Sequence, residues 1–304
     1  MKVLPDWNSD INTLIPFSRV KIIISDIDGT LQVSKSDPDN KKFISLVRTL
    51  RSKGVHMTFA TGRAYNGVKE LINSYPIAQS DPLILYNGSV CIFPSSKKIL
   101  FKHIISHDSL KALISLVEKY ETTLLAYEFI SHSTSEKSKI AENVYAWGIY
   151  CSLFSEPNGL PIIWGQIDYE ISPVAIMIKN CKNFNSSQDL LDKISYIDGI
   201  TTTKSSEDYI EIRPKGSNKG CAVKAIGDLL RLNKDSILTI GDNDNDVEML
   251  EYAGISVAVN NSSMAARRAG KYLSPGSNIT GLNETLNLVW QAYRYKSLLV
   301  EGVR

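Results

Sequence analysis

The chain has no apolar run of about eighteen residues, the length a helix needs to cross a bilayer, so no spanning helix and no membrane partner is expected. Basic tracts are also missing, as is any interleaving of aromatic with basic residues. With 34 Lys and Arg against 32 Asp and Glu the net charge is +2, which argues against a nucleic-acid partner. The N-terminus carries Asp6, Asp10 and two prolines where a secretory signal would have a basic leader and an apolar core. Residues 1–19 therefore read as a short, loosely ordered extension. Cysteine is sparse and scattered: Cys91, Cys151, Cys181 and Cys221 have no close spacing, and none pairs with a His at metal-ligand spacing. A disulfide framework and a thiolate metal site are excluded. Free thiols in a reducing, cytoplasmic compartment are expected instead. There is no internal repeat and no low-complexity tract. At 304 residues the chain is long enough for a full core and for two domains.

What is present concentrates in a few short segments. Val20-Lys21-Ile22-Ile23-Ile24-Ser25 is short, apolar and β-branched, the pattern of a buried parallel strand. It runs into Asp26-Ile27-Asp28-Gly29-Thr30-Leu31, which places two carboxylates at the strand's C-terminal end, where open α/β sheets bind ligands. Gly29 permits a sharp turn and brings backbone N–H groups near an anion. One Asp can attack phosphorus, and the other can protonate the leaving oxygen and then deprotonate water. Two carboxylates and a phosphate repel each other unless a cation offsets them, and Mg²⁺ suits such oxygen ligands. An ordinary acidic turn is the bland alternative.

Three further segments reinforce the first. Phe59-Ala60-Thr61-Gly62-Arg63 follows an apolar strand beginning at Val55, and Thr61 offers a hydroxyl either to a phosphoryl oxygen or to a helix N-terminus. Ser217-Asn218-Lys219-Gly220 precedes a helical pattern over 221–232, and Lys219 is either a phosphate-binding cation or a solvated surface residue. Ser236–Ile240 is a third strand, running into Gly241-Asp242-Asn243-Asp244-Asn245-Asp246 and a helix at Val247–Leu250. An EF-hand reading of this acidic loop fails, because a strand precedes it where a helix would be required.

These four ordered segments resemble motifs one to four of the haloacid dehalogenase superfamily of phosphohydrolases, in its Cof-type branch with a type IIB cap. The resemblance spans the chain from about Val20 to the final helix. It implies that Asp26 is the nucleophile and Asp28 the general acid/base. It implies that Gly29, Thr61, Gly62, Arg63, Asn87, Lys219 and Asn245 bind phosphate or substrate. Asp26, Asp28 (through its carbonyl) and Asp242 would hold Mg²⁺, with Asp246 in support of the metal and Lys219. Ala258-Val259-Asn260-Asn261-Ser262 resembles the family's Gly-Asn-Ala turn, with Asn260 where the family has Gly. The implied activity is hydrolysis of a small phosphorylated metabolite, a sugar phosphate or cofactor phosphate, through an aspartyl-phosphate. Two alternatives stand beside it: a phosphotransferase or mutase of the same fold, and a phospho-accepting signalling module. The first is weakened because only roughly thirty residues lie between Leu31 and Thr61, where mutases carry their cap; the second because such modules lack an Asp at the position of Asp28.

The motif order implies an α/β fold: a Rossmann-like three-layer core with a parallel sheet from residues 1–86 and 209–304, and an inserted α+β cap over 87–208. The cap would choose the substrate. Within it the pattern predicts a hairpin from Ser89–Phe93 and Ile99–Phe101, a helix over Asp108–Tyr120 and a strand over Thr122–Phe129. It further predicts a loop over Ser131–Lys139, a helix over Glu136–Tyr150, a strand at Val174–Ile178, a helix at Ser187–Ile194 and two final strands at Ile200–Lys204 and Tyr209–Arg213. Among the histidines, His56 reads as structural, and His132 ranks above His103 and His107 because it falls in the polar loop. The aromatics Tyr127, Phe129, Tyr145, Trp147, Tyr150, Trp164 and Tyr169 read as cap core first and as a stacking surface second.

Overall fold

The structure is a computed structural model that describes all residues except 7–8, 32–37, 76–79, 134–137, 150–155, 157, 166–169, 180–186, 205–208 and 301–304. In chain order its strands are β1 (Lys2–Val3), β2 (Ile22–Ser25), β3 (His56–Phe59), β4 (Leu83–Leu85), β5 (Val90–Phe93), β6 (Lys98–Lys102), β7 (Thr123–Ser133), β8 (Ser138–Gly148), β9 (Ile162–Trp164), β10 (Pro173–Lys179), β11 (Ile200–Lys204), β12 (Tyr209–Pro214), β13 (Ile237–Gly241), β14 (Ile255–Ala258) and β15 (Tyr272–Leu273). The helices are α1 (Ile11–Leu14), α2 (Pro38–Ser52), α3 (Tyr65–Ser74), α4 (His107–Lys119), α5 (Ser187–Ser195), α6 (Lys219–Leu229), α7 (Val247–Tyr252), α8 (Met264–Ala269) and α9 (Asn278–Val300). Two compact units emerge: Met1–Thr61, Ile72–Ile84 and Asn218–Arg304 form the first, and Gly62–Leu71 with Leu85–Ser217 the second. Among the described residues no helix is long and apolar enough to cross a membrane.

The first unit is an α/β core around a parallel sheet of order β1-β15-β14-β13-β2-β3. All four residues of β2 are buried, as an unbroken Ile-Ile-Ile-Ser run in a covered parallel strand demands. Helix α2 shows the complementary periodicity: Phe43, Val47 and Leu50 line one face and are buried. It is tied to α9, whose Asn283 Nδ2 donates to the Asp39 carbonyl. From β2 the chain crosses to β3 on one side, while β13 pairs on the other, so β2 lies at the point where the winding reverses.

The first nineteen residues are not the loose extension expected from sequence. β1 adds an edge strand to β15, and Leu14 and Phe17 are buried, with the Phe17 ring 5.4 Å from that of Tyr272. Burial of two large apolar side chains holds the segment down. His56 is exposed at the start of β3, where its Nδ1 lies 2.8 Å from a carboxylate oxygen of buried Asp81, a structural contact.

The second unit is α+β. Its main sheet has the order β11-β12-β10-β7-β8-β9. Helix α4, capped by Ser106, whose side chain accepts from the Ser109 N–H, buries Leu110, Leu113, Ile114 and Val117 in a core with Leu124, Ala126, Ile176 and Ile212 of the sheet and with Leu190 and Ile194 of α5. β5 and β6 form the expected hairpin.

One element is of the opposite type from the expectation. The sequence pattern predicts a helix over Glu136–Tyr150, yet Ser138–Gly148 is strand β8, paired antiparallel along all of β7. The reason is visible in its side chains: Val144 and Ala146 are buried two residues apart, a period of two. The predicted loop over Ser131–Lys139 is likewise narrower. Ser131–Ser133 and Ser138–Lys139 extend the two strands, His132 lies in β7, and 134–137 fall outside the described residues.

The aromatics divide by strand parity. Tyr145 and Trp147 pack against the α4–α5 core, and the Trp147 indole N–H donates to Glu118 of α4 at 3.1 Å. Tyr127 and Phe129 are buried beside Tyr86, at ring separations of 6.1 and 6.4 Å. Tyr150, Tyr169, Cys151 and Cys181 lie outside the described residues, while Cys91 is buried and Cys221 exposed, both as free thiols.

Candidate active site

Three adjacent parallel strands of the first unit stop at one edge: β2 before Asp26, β3 before Ala60-Thr61, and β13 before Asp242. The ladder carries on one step past the strands, with the Asp26 N–H donating to the Ile240 carbonyl and the Ala60 N–H to the Ser25 carbonyl, each at 2.9 Å. Thr61 is fully buried, its N–H donating to the Ile84 carbonyl at 3.0 Å. Backbone register, set by the apolar strands, thus delivers the polar residues to one place.

Lys219 arrives from the opposite direction in sequence, at the first turn of α6. Asn218 caps that helix through its Oδ1, which accepts the Cys221 N–H at 2.7 Å, and Ala222, Val223 and Ile226 anchor it. The Lys219 side chain is wholly buried, and its ammonium donates to Asp26 Oδ1 and Asp246 Oδ1, both at 2.6 Å. Asp246 uses its other oxygen, Oδ2, to accept the backbone N–H groups of Asp242 (2.8 Å) and Asn243 (3.0 Å), closing the acidic turn on itself. Asn245 lies half-buried in the same turn.

The turn after β2 is built to bring its backbone close. Gly29 has φ +82°, and a Cβ there would fall 2.1 Å from Asp242 Oδ2, so any larger residue would push into the carboxylate. Two contacts that sequence reading did not resolve hold this turn. The Thr30 hydroxyl donates to Asp242 Oδ1 at 2.9 Å, and Asn261 Nδ2 donates to the Gly29 carbonyl at 2.9 Å while its Oδ1 accepts the Asn278 N–H. They span more than two hundred residues of sequence; Thr30 and Asn261 each stood in a motif, but their partners left no local pattern. Asp28 is exposed on the same turn.

Oxygens of Asp26, Asp242 and Asp246 lie within 4.8 Å of one another, with one ammonium among them. Burial raises the Asp26 carboxyl from 3.8 to about 8, against the pull of Lys219 and with the help of Asp246 and Asp242. Burial also lifts Asp242 to about 6, with the Thr30 hydrogen bond opposing. Lys219 is penalised by burial too, but Asp246 and Asp26 more than offset this and hold it above the usual lysine range. Ionising all three carboxylates around one ammonium would leave an excess of negative charge, which burial resists by raising Asp26 and Asp242 and which a hard divalent cation with oxygen ligands would offset. Asp26, Asp242 and Asp246 together are the group that could hold one, with Asp246 also engaged by Lys219 and two backbone N–H groups.

The remaining predicted residues, Gly62, Arg63 and Asn87, lie in the second unit. Arg63 Nη1 donates to the Gly67 carbonyl at 3.4 Å. Asn87 is buried with φ +51°, in a turn where Tyr86 (+49°) and Gly88 (+98°) are also left-handed, and its Nδ2 donates to Glu211 at 2.7 Å. A Cβ on Gly62 would fall 3.0 Å from that Asn87 amide.

Comparison with known proteins places this geometry in a family. The model of the haloacid dehalogenase-like hydrolases matches residues 23–286. The putative phosphatase YxeH of Bacillus subtilis is 23% identical over 273 residues, covering 88% of this chain and 97% of its own. The same organism's 5-amino-6-(5-phospho-D-ribitylamino)uracil phosphatase YcsE is 25% identical over 257 residues, covering 84% and 90%. Among solved structures, a haloacid dehalogenase-like hydrolase from Bacteroides thetaiotaomicron superposes with a TM-score of 0.71 at 20% identity, covering 88% of this chain and 98% of its own.

Proposed function

The chain belongs to the haloacid dehalogenase-like hydrolases, and from that premise we propose that it is a Mg²⁺-dependent phosphatase that cleaves a small phosphomonoester through an aspartyl-phosphate on Asp26. One observation supports this most: the buried Lys219 ammonium bridges Asp26 and Asp246 at 2.6 Å, beside Asp242, at the edge where three parallel strands end. A structural ion pair would need one carboxylate; a third beside it calls for a further cation.

In the proposed sequence an Asp26 carboxylate oxygen attacks phosphorus. The bond from phosphorus to the ester oxygen breaks, and that oxygen takes the proton of Asp28. Asp28, now ionised, takes a proton from water as the water oxygen attacks phosphorus. The Asp26–phosphorus bond breaks and inorganic phosphate leaves. Lys219 steadies the ionised nucleophile and the phosphoryl oxygens, with the Thr61 hydroxyl as a further donor. Asp26, the Asp28 carbonyl and Asp242 would hold Mg²⁺, which supplies charge neutralisation and orients the phosphoryl group. Asp28 on the turn after β2 favours hydrolysis over a lasting phospho-acceptor, because it can activate the water that clears the intermediate.

The substrate is proposed to be a small phosphorylated metabolite, a sugar or cofactor phosphate, in keeping with the ribitylamino-uracil phosphate named for the Bacillus subtilis relative. Metal and phosphate would be gripped by first-unit residues. The test is release of phosphate from p-nitrophenyl phosphate and a panel of phosphorylated metabolites. Turnover with Mg²⁺ that stops with EDTA supports the reading. Equal turnover in EDTA, or none on any phosphoester, contradicts it.

A further inference from the structure

Helix α3 follows directly on the Thr61-Gly62-Arg63 segment, yet its own sequence does not cap it. The residue before its first turn is Ala64, which has no side-chain acceptor, although the first N–H groups of a helix have no partner within it. Partners come from residues far along the chain but within the same unit. The Ala64 N–H donates to Asn158 Oδ1 at 3.0 Å. The next two, on Tyr65 and Asn66, donate to Oε1 and Oε2 of Glu142, both at 2.8 Å. One carboxylate of β8 thus spans two consecutive amides at the positive end of the helix.

The clasp has more members. Glu142 Oε1 also accepts the Tyr86 hydroxyl at 2.6 Å, and the Tyr86 N–H donates to the Arg63 carbonyl at 3.2 Å. Tyr86 opens the left-handed turn that carries Asn87. Asn158 is itself fixed: Glu156 accepts its N–H at 2.8 Å and its side-chain amide at 2.6 Å, and its carbonyl accepts from Asn66 Nδ2 at 2.9 Å. The fit is tight enough that a Cβ on Gly67 would fall 2.4 Å from Asn158 Oδ1. Two chain segments meet on one carboxylate: the residues just after Thr61 and the turn bearing Asn87.

We propose that Glu142 is a positioning residue for the phosphatase reaction, a remote cap whose carboxylate fixes the start of α3 and the Tyr86 turn together and so sets where Arg63 and Asn87 stand. The inference rests on the function proposed above. It gives a structural task to a charged residue in the middle of a long strand, between Ala141 and Asn143. It also assigns that carboxylate a task separate from the chemistry: Glu142 holds backbone and a tyrosine hydroxyl, and the nucleophile, the acid and the metal carboxylates are elsewhere.

The experiment compares the wild type with Glu142→Gln and Tyr86→Phe, each first checked for a cooperative thermal transition. Glu142→Gln keeps the shape but can no longer accept two amides on two anionic oxygens; Tyr86→Phe removes a single arm and serves as the milder variant. Three readouts are taken: hydrogen exchange by mass spectrometry, Mg²⁺ binding by calorimetry, and kcat and KM for p-nitrophenyl phosphate and for the best metabolite substrate. Glu142→Gln should exchange faster across residues 64–67, bind Mg²⁺ as the wild type does, and lose about 10-fold to 100-fold in kcat/KM, since small misplacements of positioning groups cost that much. Unchanged exchange across 64–67 would overturn the clasp, whatever the activity. Faster exchange with unchanged kcat/KM would overturn the positioning role. Impaired Mg²⁺ binding would mean that the substitution disturbs the whole site, and would also overturn it. A wild type inert on every phosphoester contradicts the proposed function instead, while exchange in the variants still decides whether the clasp exists.

Discussion

Lys219 is the residue on which the site turns. It is fully buried, with carboxylates of Asp26 and Asp246 at 2.6 Å on either side. Removing one partner of a buried ionic cluster leaves the others uncompensated, at a cost of about 3–5 kcal/mol. Lys219→Met should therefore lower stability to denaturant by that order as well as ending turnover; a variant as stable as the wild type would contradict the arrangement. The two carboxylates proposed to hold the metal, Asp26 and Asp242, make a second prediction. Their folded values, about 8 for Asp26 and about 6 for Asp242, exceed the ordinary 3.8, burial being the main cause. The folded, metal-free protein keeps protons that the unfolded chain has released, so these groups lower stability as pH rises from about 4 to about 8. A cation must displace the same protons. Mg²⁺ affinity, measured by calorimetry with proton release followed through buffers of different ionisation enthalpy, should rise between about pH 6 and about pH 8. Affinity that is flat or falls across that window would contradict it.

Elements place these residues, and here the sequence was legible in proportion to how strongly apolar a segment is. The runs ending at Ser25, Phe59 and Ile240 are buried parallel strands, and their alignment at one edge followed from recognising each as a strand. β8 was not legible as a strand. Its residues from Ser138 to Gly148 interleave charge with small apolar groups, and only pairing along β7 reveals which period is operative. The N-terminal segment misled for a related reason: Leu14 and Phe17 are isolated apolar residues whose value depends on Tyr272 and other distant neighbours. Site contacts such as Thr30 to Asp242 and Asn261 to Gly29 were hidden because hydrogen bonds across the fold leave no local pattern. The turn after β2 yields a test at this scale. Gly29→Ala would place a methyl 2.1 Å from the Asp242 carboxylate at φ +82°, so Mg²⁺ binding and turnover should both fall sharply while the circular dichroism spectrum is kept. Full activity in that variant would show that the turn is not held against Asp242 as described.

At the scale of the whole molecule, Asp26, Thr61, Lys219, Asp242 and Asp246 belong to the first unit, and Arg63, Asn87 and Glu142 belong to the second. A cation that binds only the folded site stabilises the protein by mass action, by about 2.7 kcal/mol when present at a hundred times its dissociation constant. Mg²⁺ should therefore raise the thermal midpoint of the wild type by several degrees and leave that of Asp242→Ala unmoved. A shift of equal size in both would place the cation elsewhere. The account's central claim, a phosphoryl group carried on Asp26, is open to one direct measurement. Asp28→Asn should slow removal of the intermediate, general acid/base help being worth about 10²–10⁴-fold. This variant, mixed with p-nitrophenyl phosphate and Mg²⁺ and quenched in acid, should yield a peptide containing Asp26 that is heavier by one HPO₃ group, with the addition lost on treatment with hydroxylamine. Addition at another residue, or persistence of the same addition when Asp26 is also changed to Asn, would contradict the account.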